Sequence, residues 1–586
     1  DPFFIGTYFP PDARQGRPGF QDLLGQVADQ WETERADLEE RADEWIAAAR
    51  GELETVPEGA GHAPGSGLLG DAADVLLRRV DQQQGGFGRS PKFPQPSRVR
   101  LLLRADARTD REGCRDAATH ALDAMARGGV HDHVAGGFHR YATDRDWTVP
   151  HFEKMLYDNA EIPRAYLDGY RATGAEKYAD VARKTLAFVD AELGHPEGGF
   201  YSTLDARSPP PEDPDGDHVE GAFYAWTPGE VKAAAGDERR ADLFCRRYGV
   251  TEAGNFEGDT VLTLSESVDT LAAEFEMDAA TVQEELSTAM AAVADARTDR
   301  PRPARDEKVL AGWNGLAISA FADASLALDG FDPDRAVAAL DFAEDTLWDD
   351  GDLARRFEGG DVGVDGYLED YAVLARGALD CYQATGDVAH LDFALDLARE
   401  TVARFFDADA GTLYFTQSGG EELAVRPQQL GDQSTPSSVG VAVETLSALS
   451  HFAPDAGFDD VAEQVLETHA DRIEESPFEH ATLVAAADAH ATGHVELTVV
   501  ADEMPAEWRT TLGRAYVPDR LLSQRPADDA AMAAWVERLG LDAAPPLWAG
   551  RGAADGDPTL YVCRRACSPP LTDVGDAAEW IADLSP

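Results

Sequence analysis

The chain has 586 residues, 43% of them hydrophobic, and its 109 acidic against 51 basic residues give a formal charge of −58. That length exceeds one ordinary core, so two or three domains are expected. The charge excludes nucleic-acid binding, which needs a basic footprint, and no apolar run approaches the roughly 18 residues that span a bilayer. The basic residues are 6 Lys and 45 Arg, and the acids are spread along the whole chain. This pattern suits a cytosol of molar salt, where a Debye length of about 3 Å screens self-repulsion and carboxylates keep the surface hydrated. Five scattered Cys point to a reducing cytoplasm rather than a disulfide framework, with Cys563 and Cys567 read as structural or incidental thiols. The first residues, Asp-Pro-Phe-Phe, hold neither an initiator Met nor a basic leader region, so a processed or truncated product is expected.

In chain order, Phe3–Phe9 reads as a strand stopped by Pro10 and Pro11, and Phe20 to Ala49 as one long amphipathic helix. A Gly/Pro-rich linker follows at Glu58–Gly67. Helical periodicity then predicts helices near 67–80, 113–127, 158–172, 176–192, 267–297, 312–328, 333–347, 367–385, 388–405, 436–451, 458–473 and 479–491. Between them a phrase recurs: Gly85-Gly86-Phe87, Gly136-Gly137-Phe138 and Gly198-Gly199-Phe200. A repeat of a helical hairpin buries its core by stacking on its neighbours. Six hairpins fit between about 65 and 492, which predicts a mainly α chain closed into an (α/α)6 toroid. From Val495 strands alternate with helices, with strands at 495–500 and 559–563, and a small α/β unit is expected over 493–586.

The densest polar stretch is Gly128–Asn159, with four of the 14 His (His131, His133, His139, His151). No helical pattern covers most of it, and long structured loops in compact domains are usually functional. Its residue types suit general acid/base work, with His133, His139 and His151 as proton carriers and Glu153, Asp158 and, from a later hairpin, Asp370 as carboxylates. Asp132, Arg140, Asp144, Trp147 and Tyr157 are the loop's candidate ligand contacts, Arg140 for an anion or developing oxyanion and the aromatics for stacking on a sugar ring. Arg89, Lys92, Asp205, Glu220, Trp226, Asp306, Trp313 and Asn314 lie in polar phrases at helix starts, where a ring fold presents side chains to its centre. Helix capping is the competing role for Asp306 and Asp370. Arg140, Asp144, Glu153 and Lys154 can instead form a buried ion network that locks the loop. No third ligand stands at metal-binding spacing beside His131 and His133, so neither metal nor cofactor is expected.

Several phrases carry a resemblance: Gly-Gly-Phe-Gly-Arg-Ser-Pro-Lys-Phe-Pro (85–94), Val-Pro-His-Phe-Glu-Lys-Met-Leu-Tyr-Asp-Asn (149–159) and Lys-Val-Leu-Ala-Gly-Trp-Asn-Gly-Leu (308–316). Over essentially its whole length the chain resembles the thioredoxin-domain-containing family with spermatogenesis-associated members. The resemblance implies a thioredoxin-like segment over 1–57, here without the family's early Cys pair, and a barrel over 65–492 similar to N-acylglucosamine 2-epimerases and six-hairpin glycosidases. The family's Pro-Ser-Gly-Asn phrase reads Pro436-Ser437-Ser438-Val439 here, so any polar role of that Asn is lost. The expected function is a carbohydrate-active or sugar-like-ligand protein, epimerase- or glycosidase-like, with no nucleic-acid or membrane partner. The alternative is a non-catalytic or redox-partner scaffold.

Overall fold

The computed structural model describes residues 9–13, 18–57, 59, 61–420, 425–564 and 566–582. The expected strand at Phe3–Phe9 lies, but for Phe9, outside the described residues.

Six helices form a closed inner ring: Pro96–Arg108, Leu156–Thr173, Ala311–Ala327, Leu368–Thr385, Ser438–Ser450 and Ala481–Thr492. Each packs on the next, and the last returns to the first. Six more pack outside: Leu68–Arg79, Cys114–Arg127, Glu176–Leu193, Asp334–Leu347, Val388–Phe405 and Phe458–Glu475. The molecule is therefore an α/α toroid. The outer helices carry one buried stripe, whereas Leu156–Thr173 buries every residue from Leu156 to Tyr170, as a helix enclosed on all sides must.

The expected helix at 267–297 is two helices, Val268–Glu274 and Ala279–Thr298, parted where Glu276 takes a positive φ of 52° and Asp278 caps the second. Both belong to an insertion between the second and third inner helices, which also holds Pro228–Ala235 and Glu238–Tyr248 around Trp226 and Phe244. The twelfth ring helix is Pro96–Arg108, which periodicity did not reveal. The N-terminal helix is broken at Glu34 into Phe20–Thr33 and Arg35–Leu53.

At the C-terminal end, Val495–Val500 is the central strand of a three-stranded sheet, parallel to Arg520–Arg525 and antiparallel to Thr559–Cys563. This unit shares one continuous core with the ring. It closes one end of the ring: Arg171 donates to the Gly513 carbonyl at 2.8 Å, and Tyr382 to the Gln524 carbonyl at 2.7 Å. Cys563 and Cys567 are joined in a disulfide, which corrects the expectation of two thiols. No helix of the described residues is long and apolar enough to cross a membrane.

Candidate functional site

The Gly128–Asn159 segment is built on a module that the chain uses twice. Asp132 opens it, and its Oδ1 accepts the Val134 N–H at 2.9 Å. Gly136 and Gly137 then turn the chain at φ 81° and 79°, a region that favours glycine. Phe138 follows, and Asn159 on the next inner helix bridges its backbone: Oδ1 accepts the Phe138 N–H at 2.6 Å, and Nδ2 donates to the Phe138 carbonyl at 2.9 Å. Lys154 donates to Asp132 Oδ2 at 2.8 Å, and Arg297 of the insertion pairs with the same carboxylate at 2.9 Å. One unit earlier, Asp81, Gly85-Gly86-Phe87 and Lys92 repeat the plan, with Arg145 on Asp81. Asn314 bridges Phe200 one unit later, at 2.7 and 3.1 Å.

This module absorbs several candidate residues. Asp132, Lys92 and Asn314 are buried and spend their polar atoms on the loops. Asp144 caps its own turn through the Thr148 and Val149 N–H groups. Trp147 is fully buried and donates to the Gln84 carbonyl at 3.0 Å, so its faces are not open to a ligand. Trp226 is buried in the insertion core, with the Arg300 guanidinium 3.7 Å from its ring centroid. Asp370 is a cap: it accepts the Tyr367 N–H at 2.9 Å, the Gly312 N–H at 2.9 Å and Arg355 at 2.7 Å. Asp306 pairs with Lys308 at 2.7 Å, Asp205 accepts the Arg207 N–H at 2.9 Å, and Arg89 is exposed.

Two of the three expected proton carriers lie away from the cavities described below. His139 is 2% exposed, with Nδ1 2.9 Å from the Phe152 carbonyl and its ring against Tyr224, and burial depresses its pKa to about 3. His133 contacts the Gly128 carbonyl at 3.0 Å, and burial depresses its pKa to about 4. Both are neutral at pH 7, and such imidazoles serve packing. The expected single ion network is likewise divided: Lys154 belongs to Asp132, whereas Arg140 pairs with Glu153 at 3.1 Å on the open side.

What remains converges on the mouth of the ring, where the inner helices begin. Tyr157 and Asp158 stand in the first turn of Leu156–Thr173, and the Tyr157 ring meets Trp313, at the start of the next inner helix, edge-on at 4.8 Å. Arg140, Tyr157, Asp158, Phe93 and the 432–436 segment line one pocket. Asp158 is 9% exposed, and its Oδ2 has no hydrogen-bond partner among the described residues. Burial drives its carboxyl well above the usual carboxylate range, against the pull of Arg140. Glu153 moves the other way, held down by His151 and Arg140 despite partial burial. His151 sits between two carboxylates, 3.7 Å from Glu153 and 2.7 Å from Glu220, which the short hairpin of Arg207–Ser208 and Val219–Glu220 delivers. Glu153 foremost, then Glu220, raise its pKa, although the Glu220 contact is the shorter. Rings of Phe93, Tyr141 and His151 follow one another at 4.9 and 5.1 Å.

Below the mouth, a cavity of about 180 Å³ runs along the axis toward the C-terminal unit. Glu161 and Ser97 line both spaces. Arg164 and Arg376 hold Glu161 at 3.3 and 3.1 Å, and Arg171 holds Asp323 at 2.6 Å. Sequence reasoning missed these groups. The signal was present: Glu161, Arg164, Asp168 and Arg171 recur at spacings of three and four, a charged stripe on a helix otherwise patterned for burial.

Among solved structures the chain is similar to a glycoside hydrolase family 76 mannosidase from Bacteroides thetaiotaomicron, at 11% identity, covering 73% of this chain and 97% of that one with a TM-score of 0.37. It is also similar to a cellobiose 2-epimerase from Bacillus thermoamylovorans, at 12% identity, 62% and 94% coverage and a TM-score of 0.27. A thioredoxin-like DsbH family model, described as "Protein of unknown function, DUF255", matches residues 1–50. The mouse spermatogenesis-associated protein 20 is 32% identical over 570 residues, covering 90% of this chain and 72% of its own length. The human protein of that name is 32% identical over 615 residues, covering 98% of this chain and 76% of its own length. The chain belongs to the spermatogenesis-associated protein 20 family.

Proposed function

We propose that the chain binds a sugar-like, polyhydroxylated ligand at the mouth of the ring and acts on it by general acid/base chemistry. The observation that carries this reading is the pair Asp158 and Glu153. Two carboxyls beside one arginine, Arg140, are pushed in opposite directions, Asp158 toward the neutral acid and Glu153 toward the ionised base. Such divergence separates acid and base roles at one pH. Asp158 is the proton donor, its buried Oδ2 without a hydrogen-bond partner among the described residues. Glu153 is the base, and His151, bridging to Glu220, holds it in place. Arg140 orients the ligand between them, and Phe93, exposed at the pocket, offers a ring face for stacking.

Two reactions fit these groups. Proton abstraction beside a carbonyl inverts a sugar carbon, while protonation of a glycosidic oxygen cleaves the bond. The test is a panel of mono- and disaccharides and aryl glycosides incubated in D2O. Deuterium at a sugar carbon marks epimerisation, and released aglycone marks hydrolysis. Asp158→Asn abolishes either. A wild-type protein that neither binds nor turns over any member overturns the proposal.

The match of residues 1–50 to a thioredoxin-like model supports a second reading, a scaffold that holds a client for a redox partner. Under it the panel stays silent and a client protein, not a sugar, competes at the mouth.

A further inference from the structure

Outside the ring, a disulfide joins Cys563, at the end of the strand Thr559–Cys563, to Cys567. Its two sulfurs differ in access: Cys563 is 6% exposed, whereas Cys567 is exposed. Arg551, whose side chain is only 9% exposed, reaches both. Its Nη2 lies 3.0 Å from Cys563 Sγ and 3.6 Å from Cys567 Sγ. The same nitrogen donates to Glu496 Oε2 at 3.0 Å, and Nη1 donates to Thr498 Oγ1 at 3.1 Å. Glu496 is the competing partner for the guanidinium, and His451 shares its charge from the other oxygen at 2.9 Å.

A disulfide sulfur is neutral and a weak acceptor, so a buried guanidinium aimed at it gives the oxidised form little. A thiolate at the same place is a full-charge acceptor, and a cation beside it favours the ionised form. A bridge across so few residues also removes less chain entropy than one closing a long loop. The surroundings are suited to the reduced state more than to a permanent staple.

We propose that Cys563–Cys567 is a thiol–disulfide exchange site reduced by a dithiol, with Arg551 stabilising Cys563 as the leaving thiolate. A thiolate of the dithiol attacks the exposed Cys567 Sγ. The S–S bond breaks, its electron pair departs on Cys563 Sγ beside Arg551 Nη2, and a mixed disulfide forms on Cys567. The second thiolate of the dithiol then attacks its own sulfur in that mixed disulfide. Cys567 is released as a thiolate that takes a proton from water, and the reductant leaves as a disulfide. Two electrons have passed to the pair. The site is independent of the mouth of the ring.

The experiment uses the full folded chain, treated with glutathione, with dithiothreitol and with a thioredoxin at equal thiol, quenched with iodoacetamide and mapped by peptide mass spectrometry. The pair is expected to reduce and reoxidise with the circular dichroism unchanged, while the buried thiols Cys114 and Cys381 stay unlabelled. The glutathione adduct is expected on Cys567, with Cys563 alkylated. A higher rate with thioredoxin assigns a protein dithiol, and equal rates assign a small one. Arg551→Gln slows exchange about tenfold, and Arg551→Lys restores part of the rate. Reduction only on unfolding, an adduct on Cys563, or a wild-type rate in Arg551→Gln each overturns the proposal. The adduct position is read on the wild type and needs no variant to fold.

Discussion

Lys154 donates to Asp132 at 2.8 Å beneath the Gly128–Asn159 loop, and Lys92 repeats the contact to Asp81 at 3.3 Å one unit earlier. Both ammonium groups are essentially inaccessible to solvent. Two of the chain's six lysines thus serve as internal pins in a protein that otherwise uses arginine. Removing one partner of such a pair leaves a buried charge uncompensated, which costs about 3–5 kcal/mol. Asp132→Ala, which strips both Lys154 and Arg297 of their shared carboxylate, is expected to lose stability on that scale, and Lys154→Met, which leaves Asp132 its pair with Arg297, substantially less, in denaturant unfolding followed by fluorescence.

Asn159 and Asn314 each close a Gly-Gly-Phe turn with their side-chain amides. Each alanine variant leaves a buried N–H and C=O of a phenylalanine unpaired, at about 1–3 kcal/mol apiece. Thermal melts of Asn159→Ala and Asn314→Ala should show comparable losses. Asn159→Asp should fall between wild type and alanine, since it keeps the acceptor and loses the donor.

The buried histidines set a pH dependence of definite sign. His139 has a folded pKa of about 3, below the unfolded value near 6.5. The unfolded chain therefore binds more protons between those values, so stability falls as pH drops from 6.5 toward 3. His151 acts oppositely: its folded pKa is raised, so its contribution is full below pH 6.5 and is lost as pH rises through the folded pKa. Denaturant midpoints measured at pH 5 and 7 should differ less in His139→Gln than in wild type, and more in His151→Gln.

A net charge of −58 makes the compact state self-repelling at low ionic strength. Raising salt from 0.1 M to 1 M shortens the Debye length from about 10 Å to about 3 Å. The melting temperature is expected to climb across that range with sodium chloride. A flat or falling curve would contradict the high-salt reading of the composition.

Much of the ring was legible because the hairpins repeat an apolar stripe and three of the connections repeat a Gly-Gly-Phe turn. Pro96–Arg108 escaped because it carries Arg98, Arg100, Arg104 and Arg108 among its leucines. Arg104 and Arg108 both reach Asp488 inside the ring, at 2.7 and 2.8 Å. A helix with charges on its buried side defeats an amphipathic pattern by construction. At the candidate site, residue types drew attention to the Gly128–Asn159 loop but not to which of its side chains line the pocket. His139 and Asp158 look equally chemical in sequence. Only tertiary burial shows that one is sealed against Tyr224 and the other stands in the lining of the mouth pocket with a buried oxygen that has no partner among the described residues. The strand Arg520–Arg525 was missed because a half-polar run, Arg-Leu-Leu-Ser-Gln-Arg, is buried there by the ring rather than by its own pattern.

The proton on Asp158 is the central claim, and infrared difference spectroscopy tests it most directly. Subtracting the Asp158→Asn spectrum from that of the wild type at pH 7 should leave the carbonyl stretch of one protonated carboxylic acid, which shifts in D2O and persists well above the ordinary carboxylate range. A difference spectrum showing only the paired bands of an ionised carboxylate would contradict the assignment of Asp158 as the acid and remove the basis for acid/base chemistry at the mouth of the ring.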